Sequence, residues 1–248
     1  MLSGLLSQIS PLLAQVDVRD AGEGATTCQG KNEGVCLNFI FDNLDDYTTP
    51  TLEHFELVIF GVVLGFVVAM GLAILSHGRR WLIPPLLAST GVLYTIPSLA
   101  LFLLLLPITG RGATTAVIGL AIYNLQIVYR NANAGLANVP QSAKDAGRGM
   151  GMTNRQLLWK VELPLAMPEI IAGLRIATVS TVAIATLAIF AGAAGLGEVI
   201  YNEGIQRDVF KTNIVAGSVI AIVMAIALDG LLVLGQKLLT PWRTVRAL

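Results

Sequence analysis

Long uncharged hydrophobic runs, separated by short polar intervals, dominate the chain after residue 50. A helix needs about 20 mostly apolar residues to cross the hydrocarbon core of a bilayer. Runs that meet or approach this length lie at 57–75, 81–106, 113–129, 176–194 and 212–228. The pattern predicts an all-α integral membrane protein with about five transmembrane helices, surrounded by lipid. An odd number of spans places the two termini on opposite sides of the membrane.

The charged residues between these runs choose the orientation. With the N-terminus outside, the cytoplasmic segments hold eleven Lys and Arg residues against three acids, Asp145, Glu162 and Glu169. The outer segments then hold five bases against twelve acids. Because cytoplasmic loops of membrane proteins are enriched in Lys and Arg, we expect an outer N-terminus and a cytoplasmic C-terminus. The zero net charge is a cancellation between two faces, which argues against a nucleic-acid partner.

The chain divides into an N-terminal segment, 1–52, a membrane domain, 53–240, and a cytoplasmic tail, 241–248. Apolar residues at helical spacing in 2–16 predict an amphipathic helix, lying on the outer membrane surface or packed on the protein's own spans. Cys28 and Cys36 lie outside the cytoplasm, where thiols this close together favour a disulfide. Two cysteines without a nearby histidine do not make a metal site.

The longest polar interval of the membrane domain, about 130–170, contains a spaced motif. Asp145-Ala146-Gly147 is followed after three residues by Gly151, and after nine more by Val161-Glu162-Leu163-Pro164. The glycines predict a break near Gly151 between two short helices. We expect the second helix to run from about 154 to 161 and to stop before Pro164. The alternative is an ordinary basic loop that merely obeys the charge rule.

This spacing resembles the Glu-Ala-Ala-x3-Gly-x9-Ile-x-Leu-Pro motif (the EAA motif) of bacterial ABC importer permeases. Further stretches, at 53–54, 94–100, 146–168 and 192–198, resemble the permeases of osmoprotectant importers; the likeness covers about 52–240. It implies the type I ABC importer permease fold and a non-catalytic subunit of the cell membrane. Such a subunit works with a second permease chain, identical or paralogous, an extracytoplasmic substrate-binding protein, and separate ATPases that bind ATP and Mg²⁺. The implied ATPase-coupling residues are Asp145, Ala146, Gly147, Arg148, Gly151, Met152, Val161, Leu163 and Pro164.

Polar and helix-breaking residues inside the spans suggest where a solute passes. Pro97 interrupts the second span, and broken backbone at membrane depth is tolerated where it faces protein or a watery cavity. Our hypothesis is that the pathway is lined or supported by Tyr94, Pro97, Ser98, Asn124 and Gln126. The alternative is that these side chains make hydrogen bonds between helices. Asp229, near the inner end of the last span, is expected to pair with Arg175 or Lys237.

The outer segment after the fourth span is where, by the same resemblance, the substrate-binding protein docks. Its candidate contacts are Gly195, Gly197, Glu198, Glu203, Arg207 and Asp208, although a solvated loop would have the same composition. The solute implied by the resemblance is glycine betaine, choline, carnitine or proline betaine. Alternatives are an ABC importer of methionine or a sulfonate, and an ion-coupled secondary transporter. The chain has no G-x-x-x-x-G-K-[ST] phosphate loop, so we expect no cofactor in this chain and ATP hydrolysis by another.

Overall fold

Helices make up all the regular secondary structure in the described residues. The structure is a computed structural model that describes residues 34–207 and 209–240. The α-helices are α1 (Leu37–Asp42), α2 (Leu44–His77), α3 (Ile83–Thr95), α4 (Ser98–Thr109), α5 (Ala113–Ala137), α6 (Gln141–Gly149), α7 (Asn154–Leu157), α8 (Leu163–Ala185), α9 (Leu196–Ile200) and α10 (Lys211–Leu239). Short 3-10 turns cover Arg80–Leu82 and Thr186–Ala191, and π turns cover Leu158–Glu162 and Tyr201–Ile205. The predicted all-α class is confirmed.

Three helical segments among residues 34–207 and 209–240 are long and apolar enough to cross a membrane. They are Leu44–His77, Asn154–Ala191 and Lys211–Leu239. A fourth arises if the bent pair Arg80–Thr95 and Ser98–Thr109 forms one crossing. The remaining predicted span, 113–129, lies in α5, which carries several polar side chains. The total of five spans and the orientation of the termini therefore stay predictions.

The second predicted span is broken at Pro97. α3 ends at Thr95, α4 begins at Ser98, and the two helices are bent by 98°. Proline has no N–H to donate, and it drives the residue before it toward extended backbone; Ile96 has φ −66° and ψ 126°. The hydroxyl of Tyr123 on α5 donates to the carbonyl oxygen of Ile96. A side chain of a neighbouring helix thus satisfies a backbone group that the break sets free.

The polar interval at 130–170 is more helical than expected, and the stop predicted before Pro164 is wrong. α5 continues to Ala137, and α7 runs through the π turn directly into α8. Pro164 lies in the first turn of α8, where a missing N–H and a fixed φ are tolerated. The predicted short helix and the fourth predicted span are therefore parts of one helical segment, Asn154–Ala191.

α5 is the central helix of the membrane domain. It packs against α2 on one side and α8 on the other, and α10 packs on α8. Much of the buried core consists of alanine, as at Ala69, Ala116, Ala132, Ala166 and Ala177. Small residues let helix backbones approach closely in a membrane, where van der Waals packing drives helix association. The core is therefore a set of tight helix contacts on both sides of α5.

Residues just before the membrane domain pack on the N-terminal end of α10. The Cys36 N–H donates to Thr212 Oγ1 at 3.1 Å, and the Tyr47 hydroxyl donates to Asn213 Oδ1 at 2.6 Å. The domain boundary predicted at 52/53 falls inside α2. The predicted helix at 2–16, Cys28, Asp208 and the tail 241–248 lie outside the described residues. The Cys28–Cys36 disulfide therefore stays a prediction.

Candidate functional site

The 145–164 motif forms a helix, a glycine turn and a second helix. α6 ends at Gly149, and Gly151 has φ +77°, in the left-handed region that residues with a Cβ rarely adopt. Thr153 then caps α7: its Oγ1 accepts from the Gln156 N–H, and Gln156 Oε1 accepts from the Thr153 N–H at 2.9 Å. This reciprocal pair is a capping box. The break predicted near Gly151 is confirmed.

Residues of the motif divide between the surface and the interior of this loop. Gly147 is buried because α7 packs on it: a Cβ there would lie 2.6 Å from Leu157 Cδ1 and 3.7 Å from Val161 Cγ2. Leu163 is buried at the start of α8, beside the partly buried Pro164. These positions hold the two helices together and fix the loop to the membrane domain.

The outward-facing residues of α6 and its turn form what we call the coupling surface: Asp145, Ala146, Arg148, Gly149, Met150 and Gly151. Met150 is 70% exposed and adds a large apolar side chain to this surface. The Asp145 carboxylate accepts from Gln141 Nε2 at 2.8 Å and lies 3.5 Å from Arg148 Nη1. Met152, half-buried behind this surface, has its sulfur within reach of Gly147. The surface is small and partly apolar.

Glu162, which the sequence analysis did not select, is buried at the centre of a charged network. Its side chain is 5% exposed. Its Oε2 lies 2.6 Å from His77 Nε2, at the end of α2, and its Oε1 lies 3.7 Å from Lys144 Nζ on α6. Lys144 Nζ also donates to the carbonyl oxygen of Leu136, near the end of α5, at 3.3 Å. The only sequence signal was an acid placed between apolar residues in a predominantly basic region.

The broken span presents an exposed polar edge. Tyr94 is 44% exposed, and its ring meets the ring of Tyr123 edge to face with centroids 5.6 Å apart. Pro97 is exposed and Ser98 half-buried. These three of the predicted pathway residues lie together at the bend between α3 and α4.

The other two predicted pathway residues make hydrogen bonds between helices. Asn124 is 1% exposed; its Nδ2 donates to the Gly61 carbonyl oxygen at 3.2 Å, and its Oδ1 accepts from Thr181 Oγ1 at 3.0 Å. Gln126 Oε1 accepts from Thr90 Oγ1 at 2.5 Å. Asn124 thus connects α2, α5 and α8, and Gln126 connects α5 to α3, which is the alternative that the sequence left open.

Asp229 pairs with Arg175, as expected. Arg175 Nε donates to Asp229 Oδ1 at 2.7 Å and Nη2 donates to Oδ2 at 2.8 Å. Two parallel bonds of this kind fix the relative orientation of guanidinium and carboxylate. The pair joins α8 to α10, and Lys237 takes no part in it.

Two glycines of the predicted docking segment are packing positions. Gly195 and Gly197 are buried, and a Cβ on Gly197 would overlap the Thr186 carbonyl oxygen. Nearby, His54 of α2 is fully buried, and its Nε2–H donates to the Val182 carbonyl oxygen at 3.1 Å. The N-terminal half of α2, the C-terminal end of α8 and α9 are therefore packed against one another.

The charged members of this segment lie farther out. Glu198 and Glu203 are half-buried, Arg207 is exposed, and Asp208 lies outside the described residues. Glu203 Oε2 accepts from Asn213 Nδ2 at 3.4 Å. Burial raises the pKa of the Glu203 carboxyl, nearby Arg207 opposes that shift, and the negative charges of Asp46 and Glu198 add to it. The segment is acidic and is joined to the outer end of α10.

Comparison with known proteins identifies the architecture. A family model described as "Binding-protein-dependent transport system inner membrane component" matches residues 61–245. The osmoprotectant import permease protein OsmW of Salmonella typhimurium (strain LT2) is 35% identical over 210 residues, which cover 83% of this chain and 97% of that protein. The glycine betaine/carnitine/choline transport system permease protein OpuCD of Bacillus subtilis (strain 168) is 36% identical over 191 residues, which cover 76% and 82%.

A solved structure shares the fold. A crystal structure of an amino acid ABC transporter with histidines superposes with a TM-score of 0.70, at 19% sequence identity, covering 82% of this chain and 99% of that chain. At that identity the likeness shows the fold alone. The described helices therefore share the fold of that ABC transporter chain.

Proposed function

Because the chain belongs to the family of binding-protein-dependent transport system inner membrane components, we propose that it is the permease subunit of an ABC importer for a small osmoprotectant. Two permease chains, identical or paralogous, surround the solute path in the cell membrane. Separate ATPases bind ATP and Mg²⁺ and dock below, and a substrate-binding protein delivers the solute from outside. The chain itself carries out no chemical step.

The observation that carries this proposal is the shape of the coupling surface. A two-helix unit, closed by contact at Gly147 and turned at Gly151, presents an exposed methionine, an acid and a base to the solvent. Such an exposed helix–turn–helix unit suits a groove on a partner, and the motif spacing supports an ATPase as that partner. When the ATPase changes shape, α6 moves with it and the connected membrane helices follow.

The solute path follows from the exposed edge of the broken span. Tyr94, Pro97 and Ser98 line the path, while Asn124 and Gln126 support it by holding α5 to its neighbours. Glu198, Glu203, Arg207 and Asp208 contribute the outer contacts with the binding protein, and the buried Gly195 and Gly197 shape the backbone beneath them. Charged rim residues act mainly on the rate of encounter and on specificity.

The solute class rests on the relatives. Permeases named for osmoprotectant, choline, glycine betaine and carnitine transport are 31–36% identical over most of this chain. An aromatic ring attracts quaternary ammonium groups, and Tyr94 offers one exposed ring at the bend. One ring per chain is a weak cage, so we assign most of the selectivity to the binding protein.

The coupling part of the proposal is tested by two substitutions at one position. Asparagine tolerates a positive φ, whereas valine does not, so Gly151→Asn is expected to keep the turn and Gly151→Val to distort it. Backbone strain of this kind costs about 1–3 kcal/mol, which corresponds to ATPase association weaker by about 5- to 150-fold where docking needs the undistorted turn. The measurement is the amount of ATPase recovered with tagged chain from native membranes in mild detergent.

Equal expression and equal melting temperature of both variants are the control for folding. Equal recovery of the ATPase with Gly151→Val and Gly151→Asn would contradict the docking role of the turn. The importer assignment itself would be contradicted if no ATPase is recovered with the tagged wild-type chain in repeated purifications, while known ABC complexes stay intact in the same detergent.

A further inference from the structure

Side chains from two helices contact the carboxylate of Glu162, and one of them also reaches a third helix. The carboxylate lies in the π turn between α7 and α8, and it contacts His77 at the last residue of α2 and Lys144 on α6. Lys144 in turn reaches the carbonyl oxygen of Leu136 on α5. The two partner side chains approach different oxygens of one carboxylate, so Glu162 bridges the loop helix and the membrane helices.

Stability alone does not account for charged groups at this place. Removing charged groups from water is costly, and well-packed apolar residues of similar volume are often as stable as a buried ion pair. The surroundings are apolar enough for that solution, because Leu158 and Leu163 beside Glu162 are themselves buried. What a buried polar network adds is a fixed arrangement of the elements that it joins.

This network is the main side-chain connection from the coupling surface to α2. Within the described part of the chain, the packing of α6 is concentrated on α7 and the π turn. The coupling surface lies on the outer side of α6, and Lys144 extends from the same helix toward the interior, with a side chain only 12% exposed. A push on α6 therefore reaches α2 through Lys144, Glu162 and His77.

The π turn makes this connection adjustable. A π turn inserts one extra residue into a helix and often occurs at functional positions. Here the turn ends at Glu162, so a change between π and α geometry would rotate the carboxylate relative to α8. A change of this kind would give the connection two discrete arrangements, which is what a mechanical link between distant sites uses.

We propose that Lys144, Glu162 and His77 form a relay that transmits movement of the coupling surface to the inner end of α2. This assignment rests on the proposed importer function and extends it. The three are positioning residues: they touch neither solute nor nucleotide, and their contacts make α2 and α6 move together. The displacement begins at the inner end of α2, and α2 lies along α5. At the outer half of α2, His54 contacts the end of α8, so the displacement reaches α8 there.

The test measures solute uptake per ATP hydrolysed. The complex is purified with its co-purifying ATPase, supplied with the binding protein and reconstituted in liposomes. Radiolabelled glycine betaine, choline and carnitine are offered, and the solute that wild type imports fastest is used. Glu162→Gln is compared with Glu169→Gln, the same chemical change farther along α8 at a side chain with no ion pair among the described residues.

We expect Glu162→Gln to lower uptake per ATP by about tenfold, within the range usual for coupling between two sites. Recovery of the ATPase and the rate of ATP hydrolysis should stay within about twofold of wild type, since the coupling surface is intact. Glu169→Gln should match wild type. A purely structural role of Glu162 would lower the amount of complex without changing this ratio.

Lys144→Met provides a second variant that leaves the Glu162–His77 contact in place. It should lower the same ratio, and the double variant with Glu162→Gln should lose little more than the larger single effect, because both act on one link. If Glu162→Gln does not reach the membrane, the uptake per ATP of Lys144→Met tests the relay in its place. An unchanged ratio in Lys144→Met, or in a well-folded Glu162→Gln, would overturn the relay. If the wild-type chain is purified and no ATPase co-purifies with it, the importer function is refuted instead. That result is obtained before any variant is made, so the two failures are distinguishable.

Discussion

Replacing Gly197 with alanine is expected to destabilise the outer half of the protein and to reduce the amount of folded chain sharply. The new Cβ would overlap the carbonyl oxygen of Thr186, a backbone atom that no side-chain rotation can move away. Overpacking in a dense interior usually costs about 1–3 kcal/mol, and a clash with backbone lies at the upper end of that range. The measurement is thermal unfolding of the purified chain in detergent, together with its yield.

Gly71→Ala is the matched control. Gly71 lies on α2, and a Cβ added there would have no neighbouring atom within 4 Å, so alanine meets open space and improves the helix propensity. Its melting temperature should equal or exceed that of wild type. If Gly197→Ala melts like Gly71→Ala but fails to bind the substrate-binding protein, then Gly197 is a docking residue and the packing role assigned to it is wrong.

The second large effect is a separation of two roles among the predicted pathway residues. Asn124→Ala should lower thermal stability by about 1–3 kcal/mol, because the Gly61 carbonyl oxygen loses its side-chain donor and a cavity opens between three helices. Tyr94→Ala should lower stability by less, about 0.5–1.5 kcal/mol, because it loses only the edge-to-face contact with the Tyr123 ring and its own ring is 44% exposed. It should instead reduce ATP-driven uptake by about threefold or more, the size of a single contact between a cation and an aromatic ring.

Tyr94→Phe is the control for the ring itself and should transport like wild type. Both properties are measured on the same reconstituted preparations, by thermal unfolding and by initial uptake rate. Normal uptake by Tyr94→Ala would remove that residue from the pathway. An Asn124→Ala protein with normal stability and impaired uptake would place Asn124 in the pathway after all.

Much of the helical architecture follows from local sequence. The hydrophobic runs at 57–75 and 212–228 lie inside α2 and α10, because a membrane imposes helix on any long apolar segment. The break at Pro97 and the turn at Gly151 were predictable for the same kind of reason, since proline and glycine act on the backbone of their own neighbourhood. The Asp229–Arg175 pair followed from the cost of leaving a carboxylate alone in a span.

The remaining features depend on contacts between segments that are distant in sequence. Pro164 did not end a helix, because its place in the first turn of α8 is compatible with proline, and only the course of α7 reveals that place. The local sequence does not indicate that Glu162 is a network residue, because its partners His77 and Lys144 lie 85 and 18 residues away along the chain. Gly197 was predicted to be a surface residue, since a glycine-rich charged segment has the same composition whether its glycines are packed or exposed.

The most direct test of the central claim is the energy source of solute uptake. Liposomes containing this chain, its co-purifying ATPase and the binding protein are loaded with ATP and offered radiolabelled glycine betaine, choline, carnitine and methionine. We predict uptake of at least one quaternary ammonium solute that requires internal ATP and persists when ionophores collapse all ion gradients. Uptake that needs an ion gradient and proceeds without ATP would contradict the importer function, and ATP-driven uptake of methionine alone would contradict the assigned solute class.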